Sequence, residues 1–209
     1  MKTWSCPNKQ EARKKTIIEL YRKYFNIYLP LEKQYWSTCG LCYDNGLIDG
    51  CELKQMVISK LIKEDQFYGV DKEFEIIEKN KSIKNSNWFY NDFITQIKSY
   101  NNFNPGIIDV DIIHLKERGS VYLGNLLSYI TYKNIKEVLV VANMMLCNPN
   151  HGIEIYNGDD VIEELNRVNS FQEAWLSGFW KIHPYRYEYV GQKYGTRTIL
   201  SSYIFIKKD

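Results

Sequence analysis

Apolar runs of strand length alternate with amphipathic segments of helical period along most of this chain. That alternation limits the fold more than any other feature. "QYWSTCG" (34–40) reads as a strand ending at a glycine and "QFYGVD" (66–71) as a strand ending on an acid. "NWFYND" (87–92) reads as a short aromatic strand, "PGIIDVDII" (105–113) as an apolar strand behind a proline, and "KEVLVVANMML" (136–146) as the strongest strand of all. Between them, 51–62, 72–83, 93–101 and 120–132 carry helical periodicity. "GDDVIEELNRVNSFQEAW" (158–175) adds a helix with acids in its first turn, which suits the macrodipole. A leading helix over 9–28 gathers Ile17, Ile18, Leu20, Tyr21, Tyr24 and Phe25 on one face. The tail offers two strands, 183–191 and 197–208, around a glycine-containing loop, which is a hairpin signal.

Five βα units followed by a hairpin imply an α/β fold with a mostly parallel sheet covered on both faces, a three-layer sandwich. Right-handed crossovers restrict the topology. In such sheets the ligand crevice lies beyond the carboxyl ends of the strands. The expected division is an N-terminal helical extension, 1–33, and an α/β domain, 34–209.

A chain of 209 residues suits one domain and buries roughly 70% of the surface its unfolded form exposes. Apolar residues at 44% and charged residues at 25% describe a soluble globular protein. A net charge of +2 gives little long-range pull on nucleic acid. The 17 tyrosines fit base or sugar stacking. They fit better with A/T-rich codons, since Asn, Lys and Ile are abundant too, and that points to a bacterial, phage or viral genome. No apolar run approaches the ~20 residues that span a bilayer. "MKTWSCPNKQEARKK" lacks the apolar centre of a secretory signal, so a cytoplasmic protein with reduced thiols is expected. Cys39 and Cys42 form a C-x-x-C. Without a second pair the expected state is free cysteines near a loop, ahead of a zinc site or a redox pair.

The acid that ends "FYGVD", Asp71, raises the question of what a carboxylate does at the end of an apolar strand. A carboxylate accepts two hydrogen bonds from a vicinal diol, so a ribose edge suits it. A solvated or helix-capping acid is the alternative. The order of these segments resembles the class I S-adenosylmethionine-dependent methyltransferases over 34–208. The resemblance implies a seven-stranded sheet with a reversed last strand and S-adenosylmethionine as cofactor. "QYWSTCG" falls at the family's first strand and glycine turn, so Trp36, Ser37, Cys39 and Gly40 are expected at the cofactor. "FYGVD" falls at the second strand, whose terminal acid binds the ribose, and Asp71 matches it. "NWFYNDF" falls at the third strand, where Asp92 matches an acid that meets the adenine amino group and Phe93 packs on the ring. The glycines of "STCGLCYDNGLIDG" (Gly40, Gly46, Gly50) are spaced more loosely than the family's. Glu52 either positions that loop or is an ordinary helix N-terminal acid. The chain also resembles a diverged group of methyltransferase-like proteins of phage and mobile elements.

Methyl transfer needs donor and nucleophile in line and, for poor nucleophiles, a base. No Asp/Asn-Pro-Pro-aromatic motif follows "GIIDVD" and no cysteine lies there, which weighs against both common DNA chemistries. "CNPNHG" (147–152) reads as a loop turn. Asp109 and Asp111 lie two apart on a strand and point the same way. One of them is expected to face the reaction or both make structural bonds. With His114 and Asn143 they form an incomplete oxygen site, so no metal is expected. His114 and His151 read as ordinary surface or packed histidines. Tyr189, Lys193, Tyr194 and Arg197 interleave aromatic and basic groups that either grip a substrate by stacking and phosphate contact or pack as a tyrosine-rich hairpin. With 115–119 they would border the methyl acceptor, a nucleic acid or small molecule. The competing function is a binding protein on the same fold, catalytically diverged and acting on a host or nucleic-acid partner.

Overall fold

The computed structural model describes residues 7–112, 117–147, 181–193 and 196–207. Two compact units divide the chain, Met1–Val110 and Asp111–Asp209.

The first unit opens with a helical run made of α1 (Pro7–Arg13), a π-helical stretch (Lys14–Glu19) and α2 (Leu20–Tyr24). The wider π-turn brings consecutive residues nearer one face, so Thr16, Ile17 and Ile18 are all buried. Thr16 Oγ1 donates to the Ala12 carbonyl at 2.8 Å, a back-bond that competes with the regular ladder. The helix stops at Tyr24, four residues short of the sequence expectation, because Phe25 leaves the helical region (φ −124°, ψ −84°). Arg22 closes the turn by donating to the carbonyls of Ile27 at 3.1 Å and Ser59 at 2.5 Å.

Four parallel strands follow in the order β3-β2-β1-β4: β1 (Gln34–Ser37), β2 (Phe67–Asp71), β3 (Asn87–Tyr90) and β4 (Pro105–Ile112). Helices α3 (Glu52–Ile58), α4 (Phe74–Asn80) and α5 (Phe93–Ser99) connect them. Both faces of the sheet are covered, and the strand period assigns its aromatics to two layers. Tyr35 stacks on Phe67 at 5.4 Å, with Trp88 against the same Phe67 ring at 5.4 Å. One residue on, Trp36 stacks on Tyr68 at 4.8 Å and Phe89 at 5.8 Å, with Phe93, Tyr100 and Phe103 edge-on around it. Gly69 is required where these layers meet the β1 loop. A Cβ there would lie 2.5 Å from the Trp88 ring and 2.6 Å from Cys39 Sγ.

The second unit contains α6 (Glu117–Tyr132), whose buried Leu123, Leu126, Leu127 and Ile130 form a helical stripe. Its strands β5 (Val138–Cys147), β6 (Lys181–Lys193) and β7 (Thr196–Lys207) run β5-β7-β6, antiparallel at both pairings. The expected C-terminal hairpin is therefore present, its first strand longer than the sequence indicates and its second shifted by one residue. The helix expected over 158–175 lies outside the described residues. The architecture is α/β and Rossmann-like, with parallel strands β1–β4 in the first unit and antiparallel strands β5–β7 in the second. Among the described residues no helix is long and apolar enough to cross a membrane.

Candidate functional site

In the first unit Ser37, Asp71 and Asp109 lie toward the carboxyl ends of the strands. Ser37 is in register with Gly69 and Asp109, and Asp71 with Tyr90. The β1–α3 connection, 38–51, runs over this edge. Nothing lies within 4 Å of where a Cβ of Gly40 would stand, so the backbone there is open to close approach. The loop turns through Asn45 (φ 57°), Gly46 (φ 149°) and Gly50 (φ 74°).

Asp71 ends β2 half-buried, and its Oδ1 accepts the Glu73 N–H at 2.8 Å. This is the local turn bond expected of an aspartate between a strand and a helix. Its charge reaches the Cys39 thiol across the crevice edge. Asp92 is the N-cap of α5. Its Oδ1 accepts from the Thr95 N–H at 3.1 Å, and its Oδ2 pairs with Lys72 at 2.8 Å. Partial burial acts to raise this carboxyl, but Lys72 and the Thr95 donors outweigh it and hold it below its usual range. Beside these acids Phe74 and Tyr90, both exposed, meet edge-on at 5.5 Å.

Several expected contacts prove to be core. Trp36 is fully buried within its aromatic cluster and Phe93 sits edge-on to it at 6.4 Å, so neither ring faces solvent. Ser37 is fully buried, and its hydroxyl has no hydrogen-bond partner among the described residues. Cys39, Cys42 and Cys51 are free, buried thiols in mutual contact through Cys42. Burial pushes Cys39 up, the Cys39 thiol raises Cys42, and Cys42 raises Cys51 far above the usual thiol range. Cys51 also N-caps α3, accepting from the Lys54 N–H at 3.4 Å. Among the described residues no group of three or more His, Cys, Asp or Glu side chains is arranged to hold a metal ion.

Glu52 is 3% exposed and serves a buried network. Its Oε2 accepts from Arg13 Nη2 at 2.9 Å and its Oε1 from the Tyr35 hydroxyl at 2.8 Å. Arg13 Nε lies 3.9 Å from Asp109 Oδ2, and Asp109 is also 3% exposed. Burial, then the charges of Glu52 and Asp109, push the Tyr35 phenol well above its usual range. The leading helix thus supplies the cation for two acids, one opening α3 and one on β4. Nothing in the residues around Arg13 marks it for this, because a helix surface rich in Lys and Arg looks alike throughout. Asn80 was equally silent in sequence. It is fully buried and holds the β1 loop by three hydrogen bonds.

In the second unit Asp111 is half-buried and accepts from Asn143 Nδ2 at 3.0 Å, which brings together two residues singled out from sequence. Tyr189 and Lys193 lie on β6 and Arg197 on β7, where Tyr189 is opposite Leu200 and Arg197 opposite Gln192. Tyr194, His114 and His151 lie outside the described residues.

No family model matches this sequence. No curated protein matches it either. Solved structures do match. The N-methyltransferase NodS from Bradyrhizobium japonicum WM9 superposes with a TM-score of 0.50 at 11% identity, covering 97% of this chain and 99% of that one. This chain shares its fold. The plantazolicin methyltransferase BamL, in complex with SAH and a triazolic desmethylPZN analog, gives a TM-score of 0.50 at 10% identity over 97% of this chain and 86% of that one. The bifunctional kinase-methyltransferase WbdD gives 0.50 at 7% identity over 95% of this chain and 39% of its own length.

Proposed function

We propose that this chain is an S-adenosylmethionine-dependent methyltransferase whose cofactor lies over the carboxyl ends of β1, β2 and β3. The observation that carries the proposal is Asp71, a half-buried acid at the end of β2 beside the open backbone of Gly40, on a fold shared with methyltransferases. The residues present fit the group. Asp71 suits the ribose diol, and the space at Gly40 admits the methionine end. Trp36 and Phe93 support the site from beneath, Cys39 packs between the loop and Gly69, and Ser37 and Glu52 lie in the buried layer below it.

When bound, the sulfonium supplies an activated methyl group to a nucleophile in line with it. The chain's own task is to orient that approach and keep competing water out. Of the two acids on β4, Asp111 is the more exposed, so it is proposed to act at the acceptor, while Asp109 belongs with Arg13. Tyr189, Lys193, Tyr194 and Arg197 are proposed as acceptor contacts, with the acceptor unassigned between nucleic acid and small molecule. The same reading takes the strands as one seven-stranded, three-layer sheet with 1–33 as an extension. It places the protein in a reducing cytoplasm, which suits three free buried thiols, and in a phage or mobile-element setting.

One observation favours the second reading, a diverged binding protein. Both oxygens of Asp92 are engaged, Oδ1 by the two Thr95 donors and Oδ2 by Lys72, so an adenine amino group would have to share Oδ2 with the lysine. Calorimetric titration with S-adenosylmethionine and S-adenosylhomocysteine separates the two. Dissociation constants on the order of micromolar, lost in Asp71→Ala, are expected of the enzyme. Absence of binding by folded wild type would favour the binding protein.

A further inference from the structure

The β1–α3 loop lacks the close glycine spacing that lets a backbone wrap a ligand, yet it is firmly held. Asn80, the last residue of α4, is fully buried beneath it. Asn80 Oδ1 accepts from the Cys42 N–H at 2.8 Å and from the Tyr43 N–H at 3.1 Å, and its Nδ2 donates to the Gly40 carbonyl at 3.1 Å. Both acceptor sites of the amide oxygen are thereby used. The anchored residues, Gly40, Cys42 and Tyr43, include the one glycine of the loop that sits at the strand end with open space beside it. One residue earlier, Lys79 adds an outer strap, pairing with Asp44 at 3.0 Å. Below the same backbone the thiols of Cys39, Cys42 and Cys51 are packed out of solvent.

We infer that Asn80 is the positioning residue of the crevice loop, fixing the Gly40–Tyr43 backbone in the conformation that receives the cofactor. The ligand assignment rests on the function proposed above, while the latch itself does not. Asn80 touches no ligand in this role. It acts by removing the loop's alternative conformations before binding, so its loss is felt as affinity.

The structure supplies an internal control. Gln66, also buried, makes a comparable set of bonds at the amino end of β2. Its Nε2 donates to the carbonyls of Pro30 at 2.7 Å, Lys33 at 3.1 Å and Leu29 at 3.3 Å, and its Oε1 accepts the Lys63 N–H at 2.9 Å. Removing either amide strands buried polar groups and lowers stability. Only one of them holds the crevice.

The experiment compares wild type, Asn80→Ala and Gln66→Ala for melting temperature, for S-adenosylhomocysteine affinity, and for the rate at which dithiobisnitrobenzoate labels Cys39 and Cys42, read by peptide mapping. Asn80→Ala is expected to bind about tenfold or more weakly and to label faster, whereas Gln66→Ala loses stability but keeps its affinity within about twofold. If the alanine variant fails to fold, Asn80→Asp serves. It keeps an acceptor for the two N–H groups and turns its second oxygen on the Gly40 carbonyl, so an intermediate loss is expected. Equal affinity in wild type and Asn80→Ala, or equal losses in Asn80→Ala and Gln66→Ala, overturns the inference. If wild type itself binds no S-adenosylhomocysteine, the cofactor assignment falls. Labelling then decides the latch: faster labelling specific to Asn80→Ala supports it, and an unchanged rate overturns it.

Discussion

Replacing Arg13 by methionine removes the cation from the buried network at the strand ends while keeping much of the side-chain volume. Arg13 is 8% exposed, and Glu52 and Asp109 are each 3% exposed. One guanidinium therefore faces two carboxylates, at 2.9 Å and 3.9 Å, with little water to screen them. Breaking a buried pair by removing one partner costs about 3–5 kcal/mol, because the remaining charge is left desolvated. For a chain of this length each kcal/mol moves the melting temperature by about 2–4 °C, so a fall of about 6–20 °C is expected. The loss has a sign in pH. Two buried carboxylates without their arginine favour proton uptake in the folded state relative to the unfolded one. Where the folded state binds more protons, stability falls as pH rises, so the deficit of Arg13→Met against wild type is smaller near about pH 5 than near about pH 8. Urea denaturation followed by circular dichroism across that range measures it. Adding Glu52→Gln to Arg13→Met should recover part of the deficit, since one stranded charge is gone. A deficit under about 1 kcal/mol, or one that does not change with pH, would refute the role given to the network.

Gly69→Ala places a methyl group 2.5 Å from the Trp88 ring and 2.6 Å from Cys39 Sγ, and should destabilise by about 1–3 kcal/mol in thermal denaturation, where an unchanged melting point would show that the layers can part. Asp92 titrates below its usual 3.8 in the folded state, so its contribution is complete above that pH and disappears as pH falls below it. Because Asp92 is only half-buried and its partner Lys72 is largely exposed, the effect should stay well under about 1 kcal/mol and shrink with salt, as the difference in acid stability between wild type and Asp92→Asn will show. Burial, then the Tyr100 hydroxyl, push the Tyr68 phenol up to about 12. A tyrosinate absorbance titration should therefore lose one late-titrating group in Tyr68→Phe, and loss of an ordinary one would contradict the half-buried placement of that side chain beside Tyr100.

Much of the sheet was legible because strand and helix periods differ so plainly along the chain. "FYGVD" and "PGIIDVDII" became β2 and β4 nearly as read, and the acids fell at strand ends as the alternation required. The site was less legible, for reasons that lie in packing. Tyr35 and Trp36 are adjacent in sequence but face opposite layers of a sheet covered on both sides, so Trp36 became core. Asp92, expected at the adenine, forms the capping bond of α5 and pairs with Lys72. The leading helix ends early because backbone geometry at Phe25, invisible in periodicity, breaks it. Arg13 and Asn80 matter through partners 39 and 38 residues away, and no local pattern announces contacts of that range.

The placement of a nucleoside site over β1–β3 is tested most directly by amide hydrogen exchange with and without S-adenosylhomocysteine. Slowed exchange is expected at 38–43, 71–74 and 91–93, around Gly40, Asp71 and Asp92, with little change at the amino ends of the same strands. Unchanged exchange at those segments under saturating ligand, or protection confined to another part of the chain, would contradict it.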